Sequence, residues 1–143
     1  MRETQSYATH RRLDPAYHFV GFPLILGFFV VSAFLLWKHP SLASAGQMVL
    51  ALALPILFFK IRLYALTVQD RVIRLEETLR MQRLFPEELK ARIPELRRDQ
   101  FVGLRFAADA ELADLTRRAL AENLGNEAIK KLIKDWRGDF FRV

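Results

Sequence analysis

Three histidines and two adjacent pairs of glutamates are the residues of this chain best able to do chemistry. An imidazole can ligate haem or a chlorophyll-type pigment, or bind a lipid phosphate. His18 stands at the edge of a long apolar run and is the one candidate cofactor ligand, with an interfacial polar residue beside Tyr17 as the plainer reading. His10 lies further upstream, and His39, next to Pro40, reads as a turn residue. The pairs Glu76-Glu77 and Glu87-Glu88 are neighbours in sequence, so on a helix each pair diverges by about 100° and reads as solvated charge rather than an acid–base couple. No His-Glu-x-x-His site, phosphate-binding glycine loop, dinucleotide fingerprint or Gly-x-Ser-x-Gly elbow occurs. The absence of cysteine removes disulfides, thiolate zinc sites and a cysteine nucleophile. The expectation is a protein that is not an enzyme, with no catalytic residue, no metal site and no required cofactor.

The elements that carry these residues divide sharply. Phe19 to Trp37 is nineteen residues without a charge, about 28 Å as a helix at ~1.5 Å per residue and close to the ~30 Å hydrocarbon core. Pro23 falls early in this run, where a missing N–H does least harm, and Tyr17, Phe19 and Trp37 bracket it as interfacial aromatics do. Ala43-Ser44-Ala45 fits a small-x-small cleavage pattern, but the run exceeds the ~7–15 residues of a signal peptide, so retention as an anchor is expected. A second apolar run, 42–59, comes after the turn Lys38-His39-Pro40-Ser41, and a connection this short makes an antiparallel hairpin. Pro55 predicts a kink, and Ala43, Ala45, Gly46, Ala51 and Ala53 supply small surfaces for close helix approach. Arg2, Arg11 and Arg12 precede the hairpin, Lys60, Arg62, Arg71 and Arg74 come after it, and only Lys38 lies in the turn. The positive-inside rule then places both termini in the cytoplasm. Arg11, Arg12, Tyr17, Trp37, Lys60 and Arg62 are the expected lipid-interface residues.

From Lys60 the chain is densely charged. Between Lys60 and Leu84 there is no Gly or Pro, and Ile61, Ala65, Val68, Val72, Leu75 and Leu79 recur at spacings of four and three. That is a coiled-coil seam, or else the face of a helix packed on its own domain. Pro86 and Pro94 punctuate the next stretch, with a short helix expected over 87–93 and an apolar piece at Phe101, Val102, Leu104 and Phe106. Asp109 is the expected N-cap of a helix through Asn123 that Gly125 ends. In EAIKKLIKDWRGDFF, residues Ile129, Leu132, Ile133, Trp136 and Phe140 share one helical face. That face can pack into the domain, lie on a membrane surface or dock in a partner. The partner-binding candidates are Val68, Val72, Leu75, Leu79, Ile129, Leu132, Ile133 and Trp136. Residues 85–143 are few for a lone core and are expected to lean on the long helix, on a second copy or on another protein. Nucleic acid is not expected: eighteen Lys/Arg against fourteen Asp/Glu from Lys60 onward are interleaved rather than gathered on one element.

Gln5-Ser6-Tyr7-Ala8-Thr9-His10-Arg11-Arg12-Leu13-Asp14-Pro15, Val68-Gln69-Asp70-Arg71, Leu104-Arg105-Phe106-Ala107 and Ile133-Lys134-Asp135-Trp136-Arg137 together resemble a family of small bacterial two-helix membrane proteins of unknown function. The resemblance implies an inner-membrane protein and supplies no activity or ligand. The expected fold is an all-α membrane protein. It comprises an N-terminal anchor (1–18), spans at 19–37 and 42–59 joined by an external turn (38–41), a cytoplasmic extension (60–84) and a small helical domain (85–143). The expected function is a non-enzymatic membrane-anchored interaction or scaffold protein, either an accessory subunit of a larger membrane complex or a homo-oligomer. The alternative is a lipid- or pigment-binding module, for example a small subunit of a photosynthetic or respiratory complex. Membrane lipids are the other expected partner.

Overall fold

The computed structural model describes residues 6–9 and 14–139. Among them the fold is all-helical, with α1 Phe22–Lys38, α2 Leu42–Leu84, α3 Glu87–Lys90, α4 Arg98–Leu104, α5 Asp109–Ala121 and α6 Asn126–Leu132. One isolated antiparallel bridge joins Ala107 to Trp136. Two compact units divide these residues: 14–66, and 6–9 with 67–139. The boundary thus falls inside α2 and not at the end of the long helix, because Ile73 and Met81 of α2 are buried with the C-terminal helices.

In the first unit the chain enters a helix at Asp14, whose carboxylate accepts the Tyr17 N–H at 3.2 Å. Helix therefore begins earlier than the apolar run, and Pro23 lies two turns in. Ahead of it, Ala16–Gly21 forms a π-helical turn in which the Phe22 N–H reaches back five residues to the Tyr17 carbonyl. A proline removes one hydrogen bond and crowds the carbonyl four residues earlier, and the wider turn relieves that crowding. At the start of α2, Ser41 and Ser44 cap each other, each backbone N–H donating to the other's hydroxyl at 2.9 and 3.1 Å. α2 then continues through Pro55 without ending.

α1 and α2 touch through small and polar groups. Ser32, Ser44 and Ala51 are buried, whereas Ala43 and Gly46 face outward. Gln47 Nε2 donates to Ser32 Oγ at 3.2 Å, and Ser32 Oγ donates to the Phe28 carbonyl at 2.7 Å. Gly21 meets the Phe58 ring so closely that a Cβ there would lie 2.8 Å from Cε2. Two helices, Ala16–Lys38 and Leu42–Leu84, are long and apolar enough to cross a membrane. Their outer faces are bare: Phe19, Leu24 and Val49 are each 67% exposed.

The second unit closes on a core of Met81, Phe85, Leu89, Phe101, Leu104, Phe106, Leu112, Ala119 and Ile129, all nearly solvent-free. Pro86 stands before α3, and a 3₁₀ turn at Ile93–Glu95 carries Pro94. Buried Gln100 ties α4 to the end of α5: its Nε2 donates to the Ala119 and Leu124 carbonyls while its Oε1 accepts the Arg97 N–H. α5 ends at Ala121, and the residue past its cap with a left-handed backbone is Asn123 (φ 50°), not Gly125. The Leu124 N–H then bonds the Ala119 carbonyl in a Schellman arrangement, and Gly125 instead opens α6. Tyr7 packs on α6, its hydroxyl donating to Glu127 at 3.1 Å.

The final helix is shorter than its periodicity predicts. α6 stops at Leu132 because tertiary partners take the backbone groups that another turn would use. Glu111 accepts the N–H groups of Lys134 and Asp135, the Asp135 carbonyl accepts from Ala108, and the Arg137 N–H donates to the Phe106 carbonyl at 2.7 Å. Phe140 lies outside the described residues. α4 and α6 approach at Gly103, where a Cβ would sit 3.2 Å from Asn126 O and from Ile129 Cβ. Gly103→Ala is therefore expected to destabilise this unit by about 1–2 kcal/mol, overpacking outweighing the better helix propensity of alanine. A lowered denaturation midpoint, monitored by Trp136 fluorescence in a Trp37→Phe background, checks this.

Candidate functional site

The part of α2 that belongs to the second unit has two contrasting faces. One turns Ile73, Glu77, Arg80 and Met81 into the unit. Glu77, expected to be solvated beside Glu76, is 4% exposed, which corrects that reading. Arg80, 6% exposed, donates to Glu77 Oε2 at 3.0 Å, to the Ala107 carbonyl at 2.7 Å and through Nε to Asp109 Oδ1 at 2.7 Å. Arg137 donates to the other Glu77 oxygen at 3.1 Å. Asp109, expected as an N-cap, is instead the first residue of α5 with its carboxylate held by Arg80. A cleft of about 850 Å³ opens beside this cluster, lined by Glu77, Arg80, Arg83, Asp109, Trp136 and Arg137 among others. Each Glu77 oxygen already accepts a charged donor, and no histidine lines the cleft. Its evident chemistry is cohesion, fastening α2 to α5 and the C-terminal segment. No grouping of residues that could hold a metal ion occurs among the described residues.

The other face of α2 is apolar and bare. Val68, Val72, Leu75 and Leu79 are 60%, 47%, 62% and 52% exposed, so the seam read from the sequence is not covered by the rest of its unit. Arg74 leaves that stripe to stack on Phe101 with 5.8 Å to the ring centroid, and Asp70 pairs with Arg98 at 3.7 Å.

The C-terminal partner candidates have a different fate. Ile129 and Ile133 lie inside the core, and Leu132 and Trp136 pack half-buried against it. Of the three roles open to that apolar face, the structure uses it for packing into its own unit. The residues are therefore withdrawn as a docking surface.

At one end of the hairpin unit an aromatic cluster forms. The Tyr17 ring stacks on Phe58 at 4.1 Å, Arg62 lies over Tyr17 at 5.5 Å, and Lys60 lies 5.8 Å from the Tyr64 ring. His18, half-buried, has Nδ1 2.8 Å from the Asp14 carbonyl and meets Tyr17 edge-on. Donation from Nδ1 leaves Nε2 as the ring atom able to bind a ligand. Trp37 is exposed at the far end of α1 with Lys38 Nζ over its ring at 4.5 Å. Arg11 and Arg12 lie outside the described residues.

On the surface of the second unit, Arg97 holds the Asp99 carboxyl below its ordinary value, through hydrogen bonds of 3.0 and 3.3 Å, against the opposing pull of desolvation. Arg97 also bonds Asn123 and the Leu124 carbonyl. A carboxyl depressed by folding contributes stability above its unfolded pKa and loses it as pH falls through the folded one. In a carboxyl NMR titration Asp99 is expected to protonate below the ordinary ~3.9, and Arg97→Ala to return it to that range.

No curated protein and no solved structure matches the chain. The model described as Family of unknown function (DUF6526) matches residues 1–143, the whole length, and the chain belongs to that family.

Proposed function

We propose that this chain is a non-enzymatic, membrane-anchored interaction protein. In this reading α1 and the first part of α2 cross a bacterial inner membrane as a hairpin, with both termini cytoplasmic. The helical unit of residues 67–139 serves as an adaptor for other subunits or copies. One observation carries it: α2 is a single helix that begins with eighteen uncharged residues, Leu42 to Phe59, and ends in a valine–leucine stripe left bare by its own unit. A core helix of a soluble protein is covered by its neighbours, whereas few residues in the apolar stretches of both long helices here are buried. Arginines and lysines before and after the hairpin, against Lys38 alone in the turn, support the orientation. Two tests apply. Carbonate washing of membranes should leave the protein in the pellet, and purification in mild detergent should yield an oligomer or a complex. A monodisperse monomer without a partner would count against the adaptor role.

A second reading rests on His18. Its Nδ1 is engaged by Asp14, so Nε2 is the atom presented to a pigment or a lipid phosphate at the helix entry. An absorption spectrum and lipid mass spectrometry of the purified protein distinguish it. Neither a chromophore nor a retained anionic lipid should appear if the first reading alone holds.

A further inference from the structure

We infer that the bare stripe of α2 pairs with the same stripe of a second copy, in parallel and in register, as a short two-stranded coiled coil closed by reciprocal Arg71–Glu76 ion pairs between copies. This deepens the membrane-anchored adaptor reading and rests on it. The spacing of Val68, Val72, Leu75 and Leu79 assigns them positions d, a, d and a of a heptad. Arg71, just before Val72, is then a g residue, and Glu76, just after Leu75, is an e residue. Five residues separate them, the interval at which g of one helix faces e of the other in a parallel pair. Each copy supplies one of each sign, so the symmetry axis generates two complementary pairs.

The charges on this stretch of α2 divide by whether the chain itself satisfies them. Asp70 pairs with Arg98, Arg74 stacks on Phe101, Glu77 and Arg80 pair with each other, and Arg83 donates to the Leu79 carbonyl. Arg71 and Glu76, which flank the stripe, have no ion-pair partner among the described residues. At about 100° per residue the stripe also points away from Ile73, Glu77 and Met81. It borders the rest of the unit at Leu79 and Glu76, which stand on the rim of the cleft yet keep outward faces, Leu79 being 52% exposed. The central pair, Val72 at a and Leu75 at d, is the choice that favours two parallel strands, while Val68 at d and Leu79 at a reverse it, so the two-stranded state rests on the Arg71–Glu76 complementarity. Copies inserted in one membrane with the same topology bring these helices together in parallel. A stripe of under two heptads is short, and confinement to a membrane supplies the effective concentration that it needs.

The chain has no cysteine, so single substitutions report cleanly. In membranes carrying the full-length protein, Leu75→Cys is expected to form a disulfide-linked homodimer on mild oxidation, and Arg117→Cys, exposed on α5, is not. In the Leu75→Cys background, Arg71→Glu or Glu76→Arg alone should reduce that dimer about ten-fold, each replacing two attractions by two repulsions. Combining the two swaps should restore it. Restoration is specific to self-pairing, since a different partner would meet both charges reversed. If Leu75→Cys gives no more homodimer than Arg117→Cys, or if the combined swap stays as low as the single ones, the inference is overturned. Carbonate washing of the same membranes separates the two readings. Protein that stays in the pellet without cross-linking removes the homodimer and leaves the anchor standing; protein that washes off removes both.

Discussion

Arg80→Ala is expected to destabilise the unit of residues 67–139 by about 3–5 kcal/mol, the range for removing one member of a buried ion pair. The guanidinium reaches Glu77, Asp109 and the Ala107 carbonyl at once. Its loss leaves that carbonyl without this donor and leaves the Glu77 carboxylate, 4% exposed, facing only Arg137. The Arg137 side chain is 53% exposed, so its pairing is screened by water and Arg137→Ala should cost no more than about 1 kcal/mol. Glu77→Ala should fall between them, because Arg80 retains Asp109 and Ala107. Replacing both Arg80 and Glu77 by apolar residues of similar volume should cost less than Arg80→Ala alone, since no unpaired charge then stays buried. Denaturant unfolding in detergent checks this series, monitored by Trp136 in a Trp37→Phe background. If Arg80→Ala left the midpoint unchanged, the cluster would not be what fastens α2 to its unit.

The same cluster shows where sequence reasoning stops. Adjacent glutamates look alike in sequence, yet one helical step places Glu76 beside the exposed stripe and Glu77 inside the unit. A signal that separates them is present: Ile73, Glu77, Arg80 and Met81 share a face, and Glu77 with Arg80 is an i, i+3 pair. Reading it requires knowing that a second apolar face on α2 matters. The two long apolar helices and the bare stripe are legible because periodicity and length are local properties of the chain. The early end of α6 is not legible. Local periodicity continues through Trp136, but the backbone there bonds to Phe106, Ala108 and Glu111 from elsewhere in the chain. The π-helical turn before Pro23 is hidden for a related reason. Hydropathy marks Phe19 as the start of the apolar run, whereas Asp14 starts the helix earlier.

The division of α2 between a buried and a bare face also joins stability to function. The face that turns inward holds the charged cluster and Met81, which fix how the helix is rotated in its unit. That rotation decides which residues are left outside. A change that loosened Arg80 would free the helix to turn and so blur the Val68–Leu79 stripe, without touching any residue of the stripe itself. Loss of Leu75→Cys cross-linking in an Arg80→Ala background would report that coupling, since the two positions lie on different faces of one helix.

Phe106→Ala is expected to have an effect of similar size, about 3–5 kcal/mol, as for other fully buried aromatic truncations. Phe106 has no solvent exposure and sits where the C-terminal segment closes over the unit. Its ring lies 4.5 Å from the Arg105 guanidinium, 5.7 Å from Lys130 Nζ and 5.2 Å from the Trp136 ring centroid. Two cations against one buried ring add to what area alone contributes, and neither Arg105 nor Lys130 is exposed to solvent as most cations are. Truncation would therefore leave a cavity and also take away the ring faces on which both charges rest. Phe106→Leu restores most of the volume but no quadrupole. It should recover part of the loss and still fall short of the native protein by more than an ordinary aliphatic exchange of about 1 kcal/mol. Because Trp136 touches this ring, its emission should shift to longer wavelength in Phe106→Ala even under conditions where the unit stays folded. Unchanged emission together with an unchanged midpoint would mean that the Phe106 ring does not hold Trp136 in place, leaving that to Ile133, Glu111 and the Arg137–Glu77 pair.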